Sequence, residues 1–186
     1  MLESLITSQT RIRLLLKFFL NSNTSSYLRG LAEEFQESTN AIRIELNRLE
    51  KAGLLTATFL GNKKMYQANV KHPLFNEIHN ILLKHTGIDQ VIGRVTESLG
   101  NILRVYLIGE MAAGRDSEII EIVLVGNLID QSNLSRLCNN VEEMTGRTIQ
   151  EKIISPEEET GYLEKEQSLF LLWEKAAPRI TQINTD

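Results

Sequence analysis

Thr39, Asn40, Arg43 and Asn47 recur at the spacing of a single helix face. Together they present a hydroxyl, two carboxamides and a guanidinium, with no carboxylate among them. A guanidinium pairs bidentately with the O6/N7 edge of guanine, and a carboxamide with the N6/N7 edge of adenine. This set therefore suits the base edges exposed in a major groove. A helix face that only meets solvent more often carries Glu and Lys, yet for any one of these residues the plain solvated reading stands equally. Arg29, Lys63 and Lys64 are cations of the kind that reach phosphates, although surface loops carry lysines too.

Other candidate chemistry is thinner. Cys138 lies in the helical stretch LSRLCNN with no histidine near it, the pattern of a buried structural thiol. His79 and His85 are six residues apart and do not share a helix face, and with His72 they suggest no metal site. Glu118 with Glu121, or Glu157 to Glu159, form carboxylate runs that read as solvated charge at element ends. No catalytic residue, cofactor or metal ligand is expected.

The donor-bearing face needs a helix to carry it, and residues 38–53 supply one. Ile42, Leu46 and Leu49 give the i, i+4, i+7 stripe, Ser38 stands at the N-cap and Gly53 past the C-terminus. Residues 8–21 form an earlier helix with the stripe Ile12, Leu15, Leu16, Phe19 and Leu20, capped by Ser8. Asn21–Ser26 is a turn cluster, and residues 28–36 form a short helix. Leu54–Phe59 and Lys64–Val70 favour strands, and Gly61-Asn62 between them signals a two-residue hairpin. Pro73 opens a helix over 73–85. A second helix over 88–99 carries Ile88, Val91, Ile92, Val95 and Leu99. This apolar connector either joins two subunits or fills the chain's own core; we favour a share in dimerisation. Strands follow at 102–108, 119–125 and 147–154, with a loop over 109–117 and a helix over 131–145. A last helical region starts at Ser155, and Phe170, Leu171, Leu172 and Trp173 serve to dock it.

Charge supports a division of labour. Residues 1–70 hold nine Lys/Arg against six acidic residues, and the rest holds eleven against eighteen, within a net charge of −4. A basic segment joined to an acidic one suggests that only the first faces phosphate. A single cysteine excludes an intrachain disulfide. With no leader pattern and no apolar run near membrane-spanning length, a cytoplasmic protein is expected.

The order helix, turn, YLRGLAEEF helix, STNAIRIELNRLEKAGLL helix and basic-tipped hairpin resembles the winged helix-turn-helix of bacterial ArsR- and MarR-like regulators over residues 8–70. The resemblance implies duplex DNA as partner. It implies base or backbone contacts from Ser38, Thr39, Asn40, Arg43 and Asn47, phosphate contacts from Arg29, Lys63 and Lys64, and a homodimer on two half-sites. The paired cysteines of the metal-sensing members are missing. The segments LIGEMAAGR, IIEIVLVG, MTGRTIQEKIISPEEE and LFLLWEKAAPRI resemble a minimal nucleotidyltransferase domain, and the linker HPLFNEIHNILLKHTGI shares in the likeness. Its motifs are eroded. Where the family has a Gly-Ser pair after the first strand, this chain has Gly109-Glu110, and the family's Ala-Arg-Gly reads Ala112-Ala113-Gly114 with Arg115 after it. The metal-holding aspartate pair maps to Ile119 and Glu121, or to Glu121 and Val123. A third acidic position falls on Gln150, with Glu151 beside it. One carboxylate of the pair is lost in either alignment, and a carboxylate in the phosphate loop repels a triphosphate.

The expectation is therefore an α+β chain in three parts. Residues 1–71 form a winged helix-turn-helix, 72–100 a helical linker, and 101–186 a small α/β nucleotidyltransferase-like domain without catalysis that receives an unknown small-molecule or protein effector. The competing readings are an enzyme with an atypical metal site and a protein–protein module.

Overall fold

The Ser8 hydroxyl accepts the Arg11 N–H at 3.2 Å and so begins the first long helix. The structure, a computed structural model, describes residues 2–98 and 102–175. After a single turn, α1 (Leu2–Leu5), α2 spans Gln9–Leu15 and then widens into a π turn over Leu16–Leu20. The sequence predicts one apolar stripe here. The structure instead buries Leu14, Leu15, Leu16, Phe18, Phe19 and Leu20 together, because the wider turn spreads side chains around the axis and protein lies on every side.

A first core gathers around this segment. It takes Leu31, Ala32 and Phe35 from α3 (Leu28–Phe35) and Ile42, Leu46 and Leu49 from α4 (Thr39–Lys51). Leu55, Tyr66 and Ala68 come from the hairpin of β2 (Leu55–Leu60) and β3 (Lys63–Ala68). Part of the expected turn cluster is a strand: β1 (Ser25–Tyr27) pairs antiparallel with β3, giving the sheet order β1-β3-β2. The serines supply little β-propensity, and an open edge on β3 recruits them.

The connector is two helices, α5 (Phe75–Thr86) and α6 (Ile88–Ser98), and the expected stripe residue Leu99 lies outside the described residues. Its apolar face is largely buried within the chain. Leu82, Phe75 and Ile78 join the first core, and Ile88, Val91 and Val95 a second, leaving Leu74 and Ile81 exposed. The core-filling alternative thus accounts for most of the pattern that had favoured a subunit contact.

The second core lies under a mixed four-stranded sheet of order β6-β5-β4-β7. It is formed by β4 (Ile102–Ile108), β5 (Ile119–Gly126), β6 (Thr148–Ile154) and β7 (Leu169–Glu174). Strand β5 runs antiparallel to β4 and parallel to β6. The loop expected over 109–117 begins with a short helix, α7 (Gly109–Ala112), and α8 (Gln131–Thr145) packs on one sheet face with α6. The last helical region shrinks to α9 (Glu159–Leu163). The segment 170–173, expected to dock a final helix, is a strand instead: Phe170 pairs with Leu107 and Trp173 with Val105. An unbroken apolar run shows no period by which to tell strand from helix, and the free edge of β4 decides it. Residues from 176 onward, including the end of LFLLWEKAAPRI, lie outside the described residues. Glu159 also departs from expectation. It is 9% exposed and accepts from Arg104 and from the Tyr106 hydroxyl at 2.7 Å, rather than standing in solvent.

A polar seam joins the two halves. Lys17 is nearly buried; its Nζ donates to Glu34 at 2.8 Å and to the Ala113 carbonyl at 2.7 Å. Asn21 donates to the Ala112 carbonyl at 2.8 Å, and Leu20 belongs to the second core.

Candidate nucleic-acid interface

Helix α4 is positioned from both ends. At its start the Ser38 hydroxyl accepts the Ala41 N–H at 3.1 Å, which uses an oxygen lone pair and leaves the O–H to donate outward. At its end Gly53, at φ +75°, donates to the Glu50 carbonyl, and Leu54 donates to Leu49. This pair of bonds is the Schellman motif. With Ile42, Leu46 and Leu49 buried, Thr39, Asn40, Arg43 and Asn47 all project into solvent, as does Arg29 on α3. Among the described residues, Arg29, Arg43 and Asn47 have no side-chain hydrogen bond or ion pair, so their donors are unused.

One charged residue of α4 faces inward. Glu45 is 5% exposed and accepts from Arg11 at 2.8 Å, from the Ser8 hydroxyl at 3.1 Å and from Arg48 at 3.0 Å. Burial by itself would raise its pKa, but the bonds from Arg11 and Ser8 and the charges of Arg11 and Arg48 hold it below the usual carboxylate range. A depressed carboxyl stabilises the fold above its unfolded-state pKa, and that contribution is lost as pH falls through the folded-state value. Glu45→Gln is therefore expected to cost about 2 kcal/mol near neutral pH, since Arg11 is partly solvated and recovers some hydration. Thermal melts of both proteins from about pH 7 to about pH 3 should show this gap closing on the acid side.

The hairpin turns on Gly61 at φ +60°, the first central position of a type II′ turn. Lys64 leans back onto α4, its Nζ donating to Glu50 at 2.7 Å, and this bond raises its pKa. Lys63 reaches the Tyr27 ring, 4.4 Å from its centroid. A groove of about 450 Å³ opens between α4 and the hairpin. Arg29, Arg43, Asn47, Asn62, Lys63, Lys64, Tyr27, Leu28 and Tyr66 line it, and no carboxylate does. The structure thus brings Arg29, Arg43, Asn47, Lys63 and Lys64 into one concavity, while Ser38, Thr39 and Asn40 sit at the helix start outside it. Sequence reasoning missed Tyr27 and Tyr66, and also Glu50, whose tie to Lys64 crosses fourteen residues with no local signal.

The second candidate region holds less. Glu110 is paired with Arg115, one of whose nitrogens lies 2.7 Å from Oε1, and that bond lowers its pKa. Arg115 also lies 3.6 Å from Glu34. The Glu121 carboxylate sits against the Gly109 backbone, so close that a Cβ there would stand 1.8 Å from Oε2. Neither mapped partner of Glu121 supplies a ligand: Ile119 is partly exposed and Val123 is fully buried, and Gln150 stands beside Glu121 in register. Among the described residues no group of three His, Cys, Asp or Glu gathers as a metal cluster would. Cys138 is buried, and burial with nearby Glu151 and Glu142 pushes its thiol up to about 12, out of nucleophilic range. His79 is structural: its Nδ1 bonds the Phe19 carbonyl at 2.7 Å and its ring stacks on Phe75.

No known family's sequence profile matches the chain. No curated protein matches it either. Several solved structures resemble parts of it, among them two of low identity. Reduced HlyU from Vibrio cholerae N16961 is 14% identical, with a TM-score of 0.36 over 45% of this chain and 82% of that one. A candidate nucleotidyltransferase from Sulfolobus solfataricus is 16% identical, with a TM-score of 0.37 over 53% of this chain and 86% of that one. Among the described residues no helix is long and apolar enough to cross a membrane.

Proposed function

We propose that this chain is a DNA-binding transcriptional regulator, acting in the cytoplasm as a homodimer. In this reading residues 1–71 form a winged helix-turn-helix, with α4 as the recognition helix and β2–β3 as the wing. The observation that carries it is the groove between them, lined by Arg29, Arg43 and Lys63, with Lys64 paired to Glu50, and continuous with the unpaired donors of α4. Such a surface attracts phosphate and leaves hydrogen-bonding groups free for bases. Arg43 and Asn47 read base edges. Thr39, Asn40 and the Ser38 O–H meet the duplex at the helix start, and Arg29 and Lys63 hold phosphates. Lys64 sets the wing against α4 through Glu50 and approaches phosphate from there.

The sheet-bearing half is a nucleotidyltransferase-like platform without transfer chemistry, free to take an effector or to assemble subunits. Two observations favour this over an enzyme. The acidic residue in the loop after β4 is held by Arg115, and the strand positions flanking Glu121 are apolar.

The test is binding of the full chain to duplex DNA selected from a random pool. Affinity should fall steeply with salt. Arg43→Ala should cost about 1–3 kcal/mol and relax preference at one base position, the signature of a lost bidentate contact. Salt-insensitive binding, or none to any sequence, would refute the reading. Magnesium-dependent binding of ATP or GTP that disappears in Glu121→Ala would refute the claim of a silent platform.

A further inference from the structure

A cavity of about 570 Å³ opens at the seam, away from the α4 groove, with walls from α2, the end of α3 and the loop after β4. Clefts of this size between two halves of a chain are where small ligands bind. Its charges are of both signs, and some are unengaged. Arg13 bonds only through Nη1, to the Phe35 carbonyl at 3.1 Å and to Glu37 at 3.4 Å, which leaves donors on Nε and Nη2. Gln9 and Gln36, both exposed, add carboxamides to the same lining. Asp116 accepts from Arg147 through Oδ1, and Glu34 meets Lys17 and Arg115 through Oε1. Among the described residues, Asp116 Oδ2 and Glu34 Oε2 therefore accept from no group. Arg115, by contrast, is engaged with Glu110 and Glu34.

A ligand for this lining carries both charges. A dianion or a nucleotide phosphate would stand against Glu34, Glu110 and Asp116, and a polyamine against Arg13. A free α-amino acid presents one carboxylate, which a guanidinium takes with two parallel N–H bonds, and one ammonium, whose three donors suit carboxylate oxygens. Ile12 and Phe35 give the cavity an apolar floor for its side chain. The cavity also touches the turn that launches α4. Gln36, at φ +54°, ends α3 in the left-handed region, an uncommon place for glutamine, and α4 starts at Thr39. Arg13 and the Thr10 hydroxyl hold this turn from α2, through Phe35 and Glu37. A carboxylate seated on Arg13 competes with Glu37 and so displaces the turn.

We propose that the seam cavity is a site for a free α-amino acid: Arg13, with Gln9 and Gln36, takes the carboxylate, and Asp116 and Glu34 take the ammonium. Occupancy moves the α3–α4 turn and with it the affinity of α4 for DNA. The regulatory half rests on the DNA-binding reading above; the binding half stands without it.

The experiment titrates the full chain, free of DNA, with the common α-amino acids by calorimetry and thermal melts. At least one should bind and raise the melting temperature with its concentration. The matching amine, which lacks the carboxylate, and the matching carboxylic acid, which lacks the ammonium, should each bind at least roughly tenfold more weakly. Arg13→Gln and Asp116→Asn should each weaken binding by a similar factor. Asp116→Asn should leave the ligand-free melting temperature in place, since Arg147 still finds a carboxamide oxygen there. No binding by any amino acid at millimolar concentration, equal binding of the amine or the acid, or binding untouched by Asp116→Asn overturns the site. The amino acid that binds should change affinity for duplex DNA selected from a random pool roughly tenfold. Salt-sensitive DNA binding that the bound amino acid leaves unchanged overturns the coupling alone. A chain that binds the amino acid but no DNA refutes the DNA-binding reading and the coupling with it, and leaves the site standing.

Discussion

Gly114→Ala is expected to lower the stability of the whole chain by about 3 kcal/mol, a fall of roughly 6–12 °C in melting temperature for a protein of this size. Two effects combine. Gly114 holds φ at +76°, a region that costs an L-residue about 1–2 kcal/mol. A Cβ there would also stand 2.5 Å from the Lys17 Cα and 2.6 Å from its carbonyl oxygen. Those are backbone atoms in the middle of the π turn, so neither neighbour yields without moving the seam. Gly146 provides the control. It has nearly the same φ, +70°, and open space where its Cβ would be. Gly146→Ala therefore isolates the conformational cost, about 1 kcal/mol at a helix C-terminus. Urea titrations of both variants measure the difference. Equal losses would mean that the crowding against Lys17 relaxes freely.

Phe19→Ala should cost about 4 kcal/mol, within the range for deleting a fully buried aromatic ring. Phe19 has no exposed surface, and its ring lies 5.6 Å from Phe75. Phe75 stacks on His79, and His79 meets the edge of Phe170 on β7 at 6.0 Å. This file of rings crosses from the first core through the connector to the second sheet, so the cavity should weaken both halves. Trp173, the single tryptophan, lies on β7 and reports on the second half. Its fluorescence and the far-ultraviolet circular dichroism should shift together to lower urea. A Trp173 transition left where wild type has it would show that the file carries no coupling. Phe19→Leu, which refills most of the space, should recover more than half of the loss.

The elements around the candidate groove were legible because their signals are local. Ser8 and Ser38 cap the helices they precede, Gly53 terminates α4, and Gly61-Asn62 turns the hairpin. Each needs only a few neighbouring residues to act. What the sequence concealed depends on partners far along the chain. Ser25–Tyr27 becomes a strand because β3 has an open edge, and Leu169–Glu174 because β4 has one. Glu159 looked solvated until the fold brought Arg104 and Tyr106 to it across more than fifty residues. The charge face of α4 was readable in residue type, but whether its donors were unused was not, since Lys64 turned out to be engaged and Arg43 free of partners among the described residues. The apolar connector was misleading for a related reason: periodicity gives the existence of a buried face and says nothing of what buries it.

The seam has a mechanical corollary. Lys17 and Asn21 bond the π turn to the loop after β4, and Gly114 lies against the Lys17 backbone. The groove is thus tied to the sheet-bearing half, as a tool head to its shank, by these bonds and by Leu20, which belongs to the second core. If the proposed homodimer pairs through the sheet-bearing halves, the distance and angle between its two grooves, and so the gauge of the proposed DNA site, would be set at the far end of the protein.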